Sequence, residues 1–360
     1  MKISIIIPVK KINYYITQET IPAIKKQSYK NWELIVVVDK AETVTVNKLT
    51  IGQLKKNKLA KKNQLKKQKI KKCIFIISSW PKTGPADKRD LAAQKASGEI
   101  IAFLDDDAYP SKNWLKNAAK YFGNKNKNKK LAAVCGPGLT PPHDNQKQKI
   151  AGLFWQSWLG AAGAGTYRSR AEKKRLVDDY PSFNLIVRKK EFLAVDGFNS
   201  QYWPGEDTKL CHDLVYQLKK EIIYDPSILV YHHRREIFGP HLKQISRFGF
   251  QRGLFTKIFP KTSKRLVYFL PLIFFIGVMI GPILIIIWKK LGFNYLYKLT
   301  ILLYLLSLAL YLLPLLITGI MSTLKQKNFK IFPLLSATIF LSHFFYALNF
   351  AKGISKKIKK

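Results

Sequence analysis

Three carboxylates, Asp105, Asp106 and Asp107, stand directly after the apolar run 100–104 and directly before Ala-Tyr-Pro110, which turns the chain. Adjacent carboxylates repel one another unless a cation neutralises them. On an extended segment the first and third side chains leave on the same side, so Asp105 and Asp107 can share one ligand set. Oxygen ligands suit a hard divalent ion such as Mg²⁺ or Mn²⁺. An acidic surface turn is the plainer alternative. A second pair, Glu206-Asp207, follows the turn-like stretch 202–205 and precedes a helix-like stretch, a place where helix-capping acids also belong. The run 228–235 ends in His232, His233, Arg234 and Arg235. Imidazole can complete a metal site and guanidinium groups can clamp phosphate oxygens, while a histidine at a strand edge explains the ring as well.

The surrounding elements are those of an α/β domain. Residues 3–9 and 32–39 are β-rich apolar runs separated by the helical stretch 15–27, which predicts a βαβ unit with parallel strands. Residues 73–77 and 99–105 read as further buried strands, separated by a helix over 85–96 that stops at Gly98. Such sheets bind ligands at the carboxyl ends of their strands. Asp39 and Asp105 to Asp107 fall at two of those ends.

Taken in order, Ile5-Ile-Ile-Pro8-Val9, Val37-Val-Asp39, Lys88-Arg89-Asp90, the segment 98–107, Asp196-Gly-Phe198 and Gly205-Glu206-Asp207 resemble the family-two glycosyltransferases of the GT-A fold. The resemblance covers residues 1 to about 235. It implies a Rossmann-like, mostly parallel sheet and transfer of a sugar from a nucleoside-diphosphate sugar with inversion. By this likeness Pro8 and Arg89 belong to the donor-binding elements and Asp39 holds the nucleotide base. Asp105 and Asp106 take the ribose or the metal's outer shell, and Asp107 takes the metal and diphosphate. Asp207, with Glu206, would accept the proton of the acceptor hydroxyl, because a sugar hydroxyl is a poor nucleophile without a base. His232 matches the family's histidine near the metal. Arg247, in Gln244-Ile-Ser-Arg247-Phe248, resembles an element of processive polysaccharide synthases, with phenylalanine for tryptophan, and would bind a diphosphate or an acceptor's phosphate. Two departures stand out: Asp39 is followed by Lys-Ala-Glu instead of a glycine turn, and the family's Arg-Asn reads Arg89-Asp90.

The chain's 360 residues carry 62 Lys and Arg against 22 Asp and Glu, a net charge of +40, yet 47% are hydrophobic. That excludes a wholly disordered or collagen-like chain. Three dispersed cysteines give neither a disulfide framework nor a zinc spacing, which places the first domain in a reducing compartment. The apolar run at the N-terminus is too short for a signal-peptide core. Residues 267–287, 299–320 and 331–351 lack Asp, Glu, Lys and Arg and are each long enough to cross hydrocarbon. With three spans the flanking cations divide seven against eight, and with the third run held at the interface they divide twelve against three. Length favours three spans, charge favours two, and the reading here follows length. The stretch 47–72 has 11 lysines, no acid and no aromatic residue, so a solvated insertion is expected and no nucleic-acid partner. Residues 150–165, with Trp155 and Trp158, read as a membrane-facing or acceptor-facing loop or a buried core helix.

The expected organisation is a transferase domain over 1–235, a basic interfacial linker over 236–266, membrane helices to 351 and a basic tail over 352–360. The expected activity is a membrane-anchored hexosyltransferase of the cytoplasmic membrane, facing the cytoplasm, with a lipid-linked saccharide or a surface glycan as acceptor. A polyprenyl-phosphate sugar synthase or a processive polysaccharide synthase is the alternative within enzymes. A membrane-tethered polyanion-binding protein is the alternative outside them.

Overall fold

The structure is a computed structural model describing residues 1–39, 44–46, 49–51, 74–78, 83–123, 128–163 and 165–358. Apart from 49–51, the lysine-rich stretch 47–72 lies outside the described residues. The strands are β1 (Ile3–Val9), β2 (Trp32–Val38), β3 (Val44–Val46), β4 (Leu49–Ile51), β5 (Ile74–Ser78), β6 (Ile100–Leu104), β7 (Ala108–Pro110), β8 (Leu131–Cys135), β9 (Gly138–Leu139), β10 (Arg175–Val177), β11 (Asn184–Arg188), β12 (Glu221–Tyr224) and β13 (Val230–His232). The helices are α1 (Ile21–Lys25), α2 (Pro85–Lys95), α3 (Trp114–Phe122), α4 (Gln146–Gln156), α5 (Lys189–Ala194), α6 (Glu206–His212), α7 (Gly239–Ile258), α8 (Pro260–Ser263), α9 (Leu266–Lys290), α10 (Asn294–Gln326) and α11 (Ile331–Ser355).

Residues 1–141 and 170–233 form one compact unit, and 142–169 with 234–360 form another. The first unit is built on an eight-stranded sheet of order β10-β12-β8-β11-β6-β1-β2-β5. β1 lies parallel to both β2 and β6, and β2 parallel to β5, while β11 runs antiparallel to β6 and β8. β1 and β6 are buried along their whole length, which is why they read as unbroken apolar runs without alternation. Because β1, β2 and β6 are parallel, Pro8, Asp39 and Asp105 come out on the same edge of the sheet. The opposite edge holds a structural network in which Glu33 accepts from Lys2, Ser4 and Ser97. A small second sheet, β7-β13-β9, continues from the aspartate turn and sets His232 across from Ala108.

The second unit gathers α4 and α7 to α11. Ile150 and Phe154 of α4 share one apolar core with Ile245 of α7, Leu315 of α10 and Leu335 and Ile339 of α11. Segment 142–169, expected inside the transferase domain, therefore belongs to the helical unit, because its apolar face is covered by these helices. Residues 236–266, expected as a linker, are instead mostly the 20-residue helix α7. α9, α10 and α11 are each long and apolar enough to cross a membrane.

Candidate active site

β6 ends at Leu104, and the aspartates that follow divide their labour. Pairing of β7 with β13 is continued by the His233 amide, which donates to the Asp107 carbonyl at 3.0 Å, and it delivers His232 Nε2 to 3.0 Å from Asp107 Oδ1. Asp105, Asp107 and His232 each offer a ligand atom, all within 4.8 Å of one another. His232 Nδ1 is buried without a hydrogen-bond partner, and the ring leans on Phe183 at 4.8 Å. Asp106 does not join this set. Its Oδ2 accepts from Asn13 Nδ2 at 3.0 Å, and burial, then Asp107 and Asp105, push its carboxyl up to about 7. His233 turns the other way, to Glu19 at 3.0 Å, with Tyr15 stacked on its ring at 4.1 Å.

The second contributor is α2, whose N-terminus is set by Pro85 after Gly84, with the Gly84 amide donating to Asp87. Consecutive helical side chains leave about 100° apart, so residues 88 to 90 fan out to three different structures. Lys88 Nζ bridges the Val9 carbonyl and Asp39 Oδ1, both at 2.7 Å, and so joins the ends of β1 and β2. Arg89, almost wholly buried, donates to Asp105 Oδ1 at 2.7 Å and to Glu206 Oε1 at 3.4 Å, and its guanidinium lies over the Phe198 ring. Asp90 accepts from the amides of Phe198 at 3.0 Å and Asn199 at 3.4 Å. Gly197 sits there at φ +63°, and a Cβ on it would fall 2.3 Å from Asp90 Oδ1, so the glycine is required both by the turn and by the aspartate.

That turn leads to α6. The helix is capped by Gly205, so Asp207 is not the N-cap that its sequence position allowed. Lys209 is buried and ties α6 back to the carbonyls of Val195, at 2.6 Å, and Gly197, at 3.2 Å. Glu206 is committed to Arg89; burial raises its pKa and the guanidinium opposes that rise. Asp207 has one oxygen, Oδ1, buried with no hydrogen-bond partner. Burial and the neighbouring Glu206 push it up to about 7 against the pull of Arg89 and a hydrogen bond with Ser182. A buried carboxyl with a raised pKa and a bare oxygen is equipped to accept a proton.

Of the residues picked out by sequence, Pro8, Asp39, Arg89, Asp105, Asp106, Asp107, Glu206, Asp207 and His232 all lie in the first unit, and Arg89 physically joins the strand-end carboxylates to the α6 pair. Arg234, Arg235 and Arg247 belong to the second unit: Arg234 is buried, with its amide 3.5 Å from Asp144 Oδ2, and Arg235 and Arg247 are exposed. Lys88, Asn13 and Ser182 were not assigned roles from sequence. Lys88 stands inside the Lys88-Arg89-Asp90 motif, but nothing local announces that it reaches across to Asp39.

Comparison with known proteins identifies the family and the fold. A family described as Glycosyl transferase family 2 matches residues 4–191, just over half of the chain. A pre-mycofactocin glycosyltransferase of Mycobacterium tuberculosis is 23% identical over 152 residues, 42% of this chain and 30% of that protein. The poly(ribitol-phosphate) beta-N-acetylglucosaminyltransferase TarS of Staphylococcus aureus is 32% identical over 123 residues, 34% of this chain and 19% of that protein. The chain thus spans less than a third of the length of either curated relative. Among solved structures, a mannosyltransferase of Pyrobaculum calidifontis in complex with GDP-Man and Mn²⁺ covers 98% of this chain and 87% of its own, at 14% identity and a TM-score of 0.51. The fold is GT-A, with a mixed, mostly parallel sheet followed by helices that fit membrane spans.

Proposed function

We propose, from the premise that this chain belongs to glycosyl transferase family 2, that it is a membrane-anchored enzyme moving a sugar, with inversion, from a nucleoside-diphosphate sugar to a lipid-linked saccharide or surface glycan. The observation that carries this reading is the joining, by one buried arginine, of a candidate ligand set to Glu206, whose neighbour Asp207 has a bare, buried oxygen. Asp105, Asp107 and His232 fit a divalent cation in donor chemistry and spacing, and would hold Mg²⁺ or Mn²⁺. When bound, such an ion offsets negative charge on a departing diphosphate. The chain's own residues do the rest. Asp207 takes the proton of the acceptor hydroxyl on Oδ1, Arg89 keeps Glu206 and Asp105 in place, and Lys88 with Asp39 frames the end of the sheet where the nucleotide base would lie. The GDP-Man and Mn²⁺ of the Pyrobaculum neighbour support donor class and cation. The apolar helices support an acceptor presented at a membrane, and the catalytic domain is placed on the cytoplasmic face, where nucleotide sugars are made.

The test is transfer and donor binding in one purified preparation, screened with UDP-, GDP-, TDP- and CDP-sugars with and without Mn²⁺. Asp207→Asn lowers turnover by a factor of about 10² to 10⁴ and leaves the thermal shift by donor unchanged. Asp107→Asn removes both. Because Asp207 acts as a base and ionises near 7, wild-type turnover falls as pH drops below that value. Undiminished transfer by Asp207→Asn excludes it as the base.

A further inference from the structure

α9 and α10 form an antiparallel hairpin. Phe274 stacks on Tyr311 at 4.2 Å, and Gly281 faces the Tyr304 ring, where a Cβ would come within 2.5 Å. Advancing along α9 therefore means retreating along α10, so the start of α9 and the end of α10 share one end of the hairpin. α11 meets that end twice. Near its beginning, Phe332 and Ser336 close on Gly319 toward the end of α10, each 2.8 Å from where a Cβ would stand. Near its finish, Phe350 packs edge-on against Phe269, at the beginning of α9, with ring centres 4.9 Å apart. A third span would carry its last residues to the far end, beside Trp288 and Phe293. α11 instead crosses the hairpin obliquely from α10 to α9.

Its companion is α7. Gly249 faces the Tyr346 carbonyl, Gly253 the Phe350 carbonyl and Gly353 the Phe250 carbonyl, with Cβ positions 2.6, 2.2 and 2.1 Å from those oxygens. His241 bonds Ser342 at 3.0 Å, and Lys257 Nζ donates to the Lys356 carbonyl at 3.0 Å. Residue numbers rise together on both helices, so the pair is parallel and its backbones touch through glycine, as closely packed membrane helices do. α7 exposes Lys243, Arg247 and Lys257 along its length, and cations so spread cannot be sunk in hydrocarbon. A helix locked parallel to α7 over that length shares its plane. α11 is also the most buried of the three apolar helices, and it buries Thr338, Ser342 and His343.

We infer that α11 lies in the membrane interface beside α7, so that the chain crosses the bilayer only twice, through α9 and α10. The five lysines of 352–360 then remain on the side from which α9 enters. Flanking cations divide twelve against three, with only Lys289, Lys290 and Lys298 on the far side. The twelve face the headgroups of anionic lipids. This arrangement is independent of the catalytic reading.

The experiment uses the full chain with its natural cysteines replaced by serine and single cysteines introduced by Lys264→Cys, Lys290→Cys or Lys357→Cys. Sealed vesicles of both orientations are exposed to a membrane-impermeant maleimide. Positions 264 and 357 label from the same face and 290 from the other. Labelling of 357 together with 290 overturns the proposal. Should the cysteine-free chain not fold, protease protection of a C-terminal tag on the natural chain decides it: cleavage of the tag from the face on which residue 264 is cut supports two crossings, and cleavage from the other face refutes them.

Discussion

Arg89→Met removes the one guanidinium that holds Asp105 and Glu206 and lies over Phe198, and keeps an unbranched apolar stem in its place. Breaking a buried ion pair by deleting one partner costs about 3 to 5 kcal/mol, since the remaining charges stay desolvated and uncompensated. For a unit of this size each kcal/mol lowers the melting temperature by about 2 to 4 °C, so the expected loss is roughly 6 to 20 °C at pH 8. The pH dependence separates lost charge from lost packing. Glu206 and Asp207 already have raised pKa values, so the folded state binds more protons than the unfolded state and stability falls as pH climbs through that range. Without Arg89 both groups rise further and the fall is steeper. Below the raised folded-state values the two carboxyls are protonated in both folded proteins and the charge part of the difference disappears, so the deficit shrinks from pH 8 to pH 5. Thermal unfolding of both proteins in the same detergent at the two pH values is the assay. A deficit under 2 °C, or one equal at both pH values, refutes the electrostatic account.

Burial alone would raise Glu33, but hydrogen bonds from Lys2, Ser4 and Ser97 outweigh it and hold the group at about 2. Its stabilisation is therefore complete above the unfolded value and lost as pH falls toward 2; Glu33→Gln costs about 2 kcal/mol at pH 7, and urea titrations show the gap closing between pH 4.5 and 2. Gly197→Ala, which forces a Cβ to 2.3 Å from Asp90 at φ +63°, lowers stability by about 2 kcal/mol or more and lowers turnover with it; unchanged values for both would show that the turn does not position α6. His232→Ala raises the Mn²⁺ concentration for half-maximal activity at least about tenfold, while His233→Ala, whose ring faces Glu19, moves it far less. Equal effects from the two would remove the distinction between the rings.

The strand ends were legible because parallel strands buried on both faces leave unbroken apolar runs, and a carboxylate at the end of such a run is conspicuous. Alternation on an extended segment was expected to set Asp105 and Asp107 apart from Asp106; the segment is instead a turn between β6 and β7, and it is this turn that brings Asp105 and Asp107 near His232 while Asp106 meets Asn13. What sequence does not reveal is which distant backbone a side chain will reach. Lys88, Arg89 and Asp90 are neighbours in sequence, yet their partners lie around residues 9 and 39, 105 and 206, and 198. Residues 150–165 were ambiguous for a similar reason: an apolar helix of 11 residues looks the same whichever core takes it, and the partners of Ile150 and Phe154 lie beyond residue 236. In α7 the basic residues drew attention to a surface role. The spacing Gly249-x-x-x-Gly253, the sign of a close helix contact, was present but set among Arg247 and Arg252.

One electrostatic asymmetry ties the site together. The chain as a whole carries +40, yet at this end of the sheet Asp105, Asp106, Asp107, Glu206 and Asp207 crowd together, with Arg89 against Asp105 and Glu206, His232 against Asp107 and Lys88 against Asp39. Burial first, and neighbouring carboxylates after it, raise the carboxyls of Asp106, Glu206 and Asp207. A nucleoside diphosphate adds more of the same sign and is repelled unless a divalent cation enters as well. On the proposed function cation and nucleotide binding are therefore expected to be linked, each strengthening the other by the same factor. Melting temperatures in Mn²⁺ alone, UDP or GDP alone, and the two combined measure this directly: the combined rise exceeds the sum of the separate ones, and His232→Ala reduces the excess. Strictly additive shifts would mean that the ion and the diphosphate occupy separate places, and the ligand set of Asp105, Asp107 and His232 would lose its connection to the donor.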